Sequence, residues 1–205
     1  MDIEKFRERE IVGVQIFYLY VVPIALLYFR IIPGEFRILM LLTVSLVLLG
    51  IVRHSHWTFA DIGISKDFMK DIVPYLIFTV SGLAFTIWIS SVVLHDPLLG
   101  WWENIRFLLL FIPISILQEI IFRGILMNML RRAFENPFTI IVLNASVFTL
   151  IHIIYLNSIF VLPFTFIAGI GFAWMYWKYP NLILISFSHT VLNFTAMILG
   201  FFIVR

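Results

Sequence analysis

An all-α, polytopic membrane bundle of about seven transmembrane helices is the fold this sequence predicts, and three observations carry that reading. Hydrophobic residues fill 62% of the 205 positions and charged ones 13%, with 22 phenylalanines, which leaves too little polar surface to clothe a water-soluble globule. Apolar runs recur at lengths near the roughly 20 residues that a helix needs to cross a bilayer. The polar residues left inside those runs fall at helical spacing. One transmembrane domain, 1–205, accounts for the chain, since no repeat, low-complexity stretch or long linker divides it. The absence of cysteine excludes disulfides and thiolate metal sites. A formal charge of +2, with the basic residues scattered between apolar runs, gives nucleic-acid binding no support.

The spans follow in order. A charged start, Asp2 to Glu10, leads into a first span, Ile11 to Phe29, long enough to cross, and so is not read as a cleaved signal peptide. Further spans are expected at Ile38 to Val52, Ile72 to Leu94, Phe107 to Leu130, Pro137 to Leu156, Ser158 to Trp177 and Leu182 to Val204. The second is short, and the fifth and sixth nearly merge, with a turn expected at Asn157-Ser158; an eighth span or a re-entrant segment is the alternative. The longest polar connection, Arg53 to Asp71, is expected along the interface. It carries His54 and His56, which are two apart, share no helix face and read as solvated.

Orientation follows from the basic residues between spans. With the N-terminus inside, nine lie on the inner side (Lys5, Arg7, Arg9, Arg53, Lys66, Lys70, Arg131, Arg132, Lys178) and four on the outer (Arg30, Arg37, Arg106, Arg205). A cytoplasmic N-terminus is therefore expected. Trp101 and Trp102 would form an outer aromatic belt, and Trp174, Tyr176, Trp177 and Tyr179 an inner one.

Charge enters the membrane at Leu117 to Gly124, where Glu119 and Arg123 stand one helical turn apart and can neutralise each other. A lone ionised side chain at mid-bilayer costs about 2.5–3.5 kcal/mol on insertion scales, so such residues are rare, paired and functional. Ser115, Glu119 and Arg123 form one stripe, Asn144, Phe148 and His152 a second, and Ser186, His189 and Asn193 a third. In lipid such stripes must face one another or a watery cavity. A salt bridge tethering helices, or core histidines satisfied by Asn144, Asn193 or a hydroxyl, would explain each stripe alone, but packing in lipid needs only small residues and hydroxyls. At 1.5 Å per residue, Glu119 lies roughly 18 Å from the outer end of its span and His189 roughly 10 Å from the inner end of its own. His152 lies roughly 22 Å from the inner side, so its helix must start deeper in the cytoplasm or tilt.

Gln118-Glu119-Ile120-Ile121-Phe122-Arg123-Gly124 resembles the Glu-Glu-x-x-x-Arg motif of the CAAX prenyl protease 2 and bacteriocin-processing (CPBP, abortive-infection) family of intramembrane endopeptidases. Phe148 to His152 is similar to that family's Phe-x-x-x-His motif and His189 to Asn193 to its His-x-x-x-Asn motif, in family order, across about residues 105–197. Phe166-Ile167-Ala168-Gly169 resembles the family's small-residue helix. The resemblance implies an endopeptidase whose membrane cavity opens toward the cytoplasm. In that family a glutamate activates water, and the histidines and asparagine support the attack and the oxyanion. It implies catalytic roles at Gln118, Glu119, Arg123, His152, His189 and Asn193, and membrane-associated or prenylated protein substrates. A divalent metal such as zinc, on His152, His189 and Glu119, stays open as a cofactor.

Gln118 departs from the family, which has glutamate there, and an amide cannot act as a general base. Either Glu119 does the work, or the chain is an inactivated Glu-to-Gln variant, or it is no protease. Residues 118 and 119 point about 100° apart on a helix, so Glu119 cannot replace its neighbour without helix rotation. A non-catalytic scaffold or immunity protein and a proton-coupled transporter are the competing functions. The transporter needs a polar path to the outer face, for which the sixth span offers only Thr165.

Overall fold

A computed structural model of the chain describes residues 3–64, 67–93, 97, 100, 105–155 and 158–202. Trp101, Trp102, Lys66, Asn157 and Arg205, named in the belt, the charge count and the expected turn, lie outside the described residues, as do the expected span ends Leu94, Leu156 and Val204. Among the described residues seven helical rods run in order: α1 (Ile3–Tyr28), α2 (Gly34–His54), α3 (Phe68–Val92), α4 (Leu110–Ala133), α5 (Pro137–Ile154), α6 (Ser158–Lys178) and α7 (Leu182–Ile198). The first six are long and apolar enough to cross a membrane, and α7 is a shorter apolar helix. The chain is thus an all-helical, multi-pass membrane bundle, and no eighth span occurs among the described residues.

Local chemistry sets the helix ends. Asn136 accepts the Phe138 amide at 2.9 Å and Pro137 occupies the first turn of α5, an arrangement that satisfies a donor the helix cannot. Asn181 does the same for α7 by accepting from Leu184 N at 3.1 Å, while its own amide donates to Phe68 O at 2.6 Å and so ties α7 to the start of α3. The seventh span was expected to run to Val204, but the helix stops at Ile198. Gly200 takes φ 85°, Phe201 N donates to Ala196 O and Gly200 N to Met197 O, the paired bonds of a glycine-terminated helix. The chain then turns back, packing Phe201 on Phe164 at 4.7 Å and Phe202 on Tyr155 at 5.1 Å between centroids.

α1 begins at Ile3, eight residues ahead of the expected span. Its charged turns have partners at the end of α4 and just beyond: Arg9 Nε donates to Ala133 O at 2.9 Å, Arg132 pairs with Glu8 at 2.9 Å, and Lys5 pairs with Glu135.

α4 is the hub. Of its most apolar window 56% is buried, against 17% or less for α1, α2 and α3, so its polar residues face protein rather than lipid. α7 packs on α3 and on α4, and α5 packs along α6. The last pair is close because Gly169 has no side chain: a Cβ there would stand 3.3 Å from Ala145 Cβ and 3.1 Å from Phe148, the small-residue contact by which helices associate in lipid.

The Arg53–Asp71 connection does more than lie at the interface. Asp61 O accepts from Asn128 at 2.6 Å, Gly63 O accepts from Leu182 N at 2.8 Å, and Ile62 is buried beside Gly124. Gly63 (φ 78°) sits so close to Tyr176 that a Cβ would meet its hydroxyl at 2.5 Å. Hydrogen bonds from the Thr58 amide and hydroxyl hold the Asp61 carboxyl below the usual carboxylate range. His54 and His56 are exposed, as expected. Tyr176 is a correction: it is 1% exposed, packed inside the bundle under this connection rather than in the belt with Trp174, Trp177 and Tyr179.

Candidate active site

The central motif spans a change of winding in α4, with Gln118 and Glu119 at the end of its regular part and Arg123 inside the distorted turn. Residues Ile105–Glu119 are α-helical, Ile120–Leu126 form a π-helical turn, and Met127–Ala133 return to α-helix. A widened turn tilts carbonyls out of the ladder and needs help from outside, and such turns concentrate at functional sites. The help comes from two other helices. The Tyr20 hydroxyl on α1 donates to Ile121 O at 3.1 Å, and Asn144 on α5 donates to Phe122 O at 2.7 Å. Asn144 is therefore committed to α4, and His152 takes its support elsewhere: its Nδ1 lies 2.9 Å from Phe148 O. A carbonyl only accepts, so Nδ1 carries the proton and Nε2 keeps a lone pair.

Glu119 and Arg123 are both fully buried. Arg123 Nη1 donates to Glu119 Oε1 at 3.0 Å, and His189 Nδ1 of α7 stands 2.6 Å from the same oxygen. The guanidinium lies over two aromatic faces, Phe148 at 4.3 Å and Phe172 at 5.2 Å, contacts worth about 2 kcal/mol or more each when desolvated. Phe148 also links the histidines, with its ring centroid 5.0 Å from His152 and 5.6 Å from His189. The two imidazoles are thus well within two helix diameters, roughly 20 Å, of each other. Several buried atoms here find no hydrogen-bond partner among the described protein groups: Ser115 Oγ, Ser186 Oγ, Glu119 Oε2, and Nε and Nη2 of Arg123. Groups so placed call for ordered water.

Two cavities flank this cluster. One of about 170 Å³ runs between α1, α2, α4 and the end of α5, and is lined by Gln118 and His152 together with Tyr20, Ile121 and Tyr155. The other, of about 270 Å³, lies between α3, α5, α6 and α7, lined by His152, His189 and Asn193 with Phe148 and Phe172. His152 lies between them and reaches both. The site residues therefore converge on two levels rather than one: Gln118, His152 and Asn193 face open space, and Glu119 and Arg123 line neither cavity. The about 100° between residues 118 and 119 produces this division. His152 sits in the last, 3-10 turn of α5 (Ile151–Ile154), and α5 begins at Pro137, so the helix does not start deeper as expected and the imidazole lies toward its far end. Both cavities occupy the half of the bundle bounded by the 28–37 connection, the end of α5 and the end of α7.

A zinc ion on His152, His189 and Glu119, left open by the sequence, gains no support from the arrangement of these side chains. Among the described residues no three His, Cys, Asp or Glu side chains converge, Glu119 Oε1 is already held by a guanidinium, and an arginine within 3.0 Å repels a cation. Two contributors escaped the sequence reading, Tyr20 and Phe172. Each is one aromatic among many in an apolar run, and nothing in sequence distinguishes a hydroxyl that meets a displaced carbonyl from one at the membrane surface.

Residues 100–195 match the family described as Type II CAAX prenyl endopeptidase Rce1-like. The matched stretch holds all three motifs. No curated protein and no solved structure matches the chain.

Proposed function

We propose that this chain, whose residues 100–195 match the CAAX prenyl endopeptidase family, acts as such an enzyme and hydrolyses a peptide bond of a membrane-associated substrate with water held between residue 118 and His152. The observation that carries this is the shared cavity of Gln118 and His152, backed by a fully buried Glu119–Arg123–His189 cluster. Gln118 orients the water through its amide, and the His152 Nε2 lone pair takes the proton as the oxygen attacks, then returns it to the leaving nitrogen as the C–N bond breaks. His189 and Asn193 line the second cavity on the other side of His152, and there they set the polar surroundings of that imidazole. Glu119 is a positioning residue: it neutralises Arg123 and holds His189. With a glutamine at 118 the single base is a histidine, so turnover is slow, and Gln118→Glu restores a carboxylate where the family has one.

Purified protein in liposomes, offered a prenylated or membrane-embedded peptide, is expected to cleave at least tenfold faster as Gln118→Glu and to lose activity as His152→Ala. A Gln118→Glu protein that is folded and inactive would sink the protease reading. It would favour the non-catalytic scaffold, for which Gln118 itself is the supporting observation. The transporter gains nothing, because Thr165 spends its hydroxyl on Val161 O at 2.8 Å.

Orientation belongs to the same proposal. The charge count places the N-terminus in the cytoplasm, and both cavities then lie in the outer half of the bundle. A cytoplasmic N-terminus and a cytoplasmic opening pull apart, and we keep the first, because it rests on nine basic residues against four.

A further inference from the structure

α1 has a π-helical turn of its own, Phe17–Val21, closed by a bond from Val22 N to Phe17 O. Phe17 and Tyr18 face outward from it, and Tyr20 is the residue it buries. The Tyr20 hydroxyl reaches Ile121 O at 3.1 Å, inside the π-helical turn of α4. Two such turns therefore meet. The one on α4 ends in a bond from Met127 N to Phe122 O, one residue farther back than an α-helix reaches, and so holds one residue more than a regular turn. Were it to relax, the helix on its N-terminal side would turn by about 100°, the rotation of one residue, and position 119 would take the bearing that position 118 has now. Each bearing has a second marker one turn earlier. Ile114 lines the first cavity with Gln118, whereas Ser115, like Glu119, is buried and lines neither cavity.

We propose that Tyr20 is a positioning residue: by holding the displaced carbonyl of Ile121 it keeps the α4 turn wide, and so keeps position 118, rather than 119, toward the cavity and His152. Its part in catalysis rests on the hydrolysis proposed above; its effect on the winding does not. A buried carbonyl left out of the helix ladder is unfavourable, so a hydroxyl that meets it favours the wide turn over the regular one. Tyr20 also stands in the wall of the cavity that Gln118 and His152 share. Its ring packs on Phe122 at 5.6 Å, Phe122 on Phe148 at 5.3 Å, and Phe148 on His152 at 5.0 Å between centroids. Both sides of the water site are thus reached from α1.

The native chain has no cysteine, so the winding can be read by thiol labelling. Gln118→Cys and Ser115→Cys, each in the full chain in detergent, are treated with a small thiosulfonate reagent. With Tyr20 in place the thiol at position 118 is expected to react several times faster than the one at 115. Tyr20→Phe keeps the ring and removes only the oxygen. It is expected to cut that ratio about fivefold, the worth of one ordinary hydrogen bond, by slowing 118 and speeding 115. Tyr18→Phe, on the same turn but exposed, is expected to leave the ratio unchanged. Equal reactivity of the two positions beside Tyr20 overturns the proposal. So does a ratio that Tyr20→Phe does not move, including one in which both positions speed up alike through general loosening, and so does the same shift in Tyr18→Phe. For the reaction, Tyr20→Phe in the Gln118→Glu background is expected to lower kcat about fivefold with KM little changed. An unchanged kcat overturns the positioning role. Should the Gln118→Glu background fail to cleave, hydrolysis falls while the labelling ratio still decides the winding.

Discussion

Arg123 is the largest of the fully buried side chains, and its charge is met by one carboxylate and two aromatic rings. Removing one member of a buried ion pair leaves the other uncompensated and costs about 3–5 kcal/mol. Glu119→Gln should therefore lower the thermal midpoint in detergent sharply, and Glu119→Asp less so. A rate for Glu119→Gln that falls only with its folded fraction marks a positioning role, whereas complete loss of turnover in protein that is still folded would mark Glu119 as the catalytic base. The pairing of Glu119 with Arg123 was legible from the four-residue spacing, and so was the divergence of Gln118 from Glu119. The oxygen shared with His189 was not, since sequence places an imidazole on a helix face but not at a distance. The π-helical turn was equally hidden. Phe122-Arg123-Gly124 reads the same at either winding, and what stabilises the wider one is Asn144 together with Tyr20, the latter some hundred residues away in sequence.

Helix contacts depend on a few missing side chains. Gly169→Val would drive a methyl group into Ala145 and Phe148, whose atoms lie only 3.1–3.3 Å from the position of a Cβ, and overpacking of this kind costs about 1–3 kcal/mol. The ring it displaces is the one that faces Arg123 and both histidines, so activity should fall more than the thermal midpoint implies. Gly50→Val is the control, because a Cβ at Gly50 meets nothing within 4 Å. Comparing midpoint and turnover for the two variants checks this. At this scale hydropathy placed every rod to within a few residues except where polar chemistry decided the end. The charged turns of α1 are helical because Arg9, Glu8 and Lys5 find partners at Ala133, Arg132 and Glu135. α7 stops early because Gly200 reverses the chain, whatever the hydrophobicity of the residues after it.

The whole bundle has an opening at one end, and its sidedness can be measured. Cysteine placed at Arg37 should react with an impermeant thiol reagent added outside intact cells, and cysteine at Asn136 only after permeabilisation; the native chain has no cysteine to interfere. The reverse pattern would put the N-terminus outside and open the site to the cytoplasm, as the family resemblance implies. The number of spans and their order were legible because apolar length is a property of the chain itself. The depth of the site was not, because it depends on which end of each rod the cavities occupy, and that is settled by packing.

α7, at 17 residues, rises roughly 26 Å, several ångströms short of a hydrocarbon core about 30 Å thick. A bilayer wrapped on a short helix compresses to match it. Such matching would draw the headgroups beside His189 and Asn193 inward and leave a peptide at the surface less hydrocarbon to cross on its way to them.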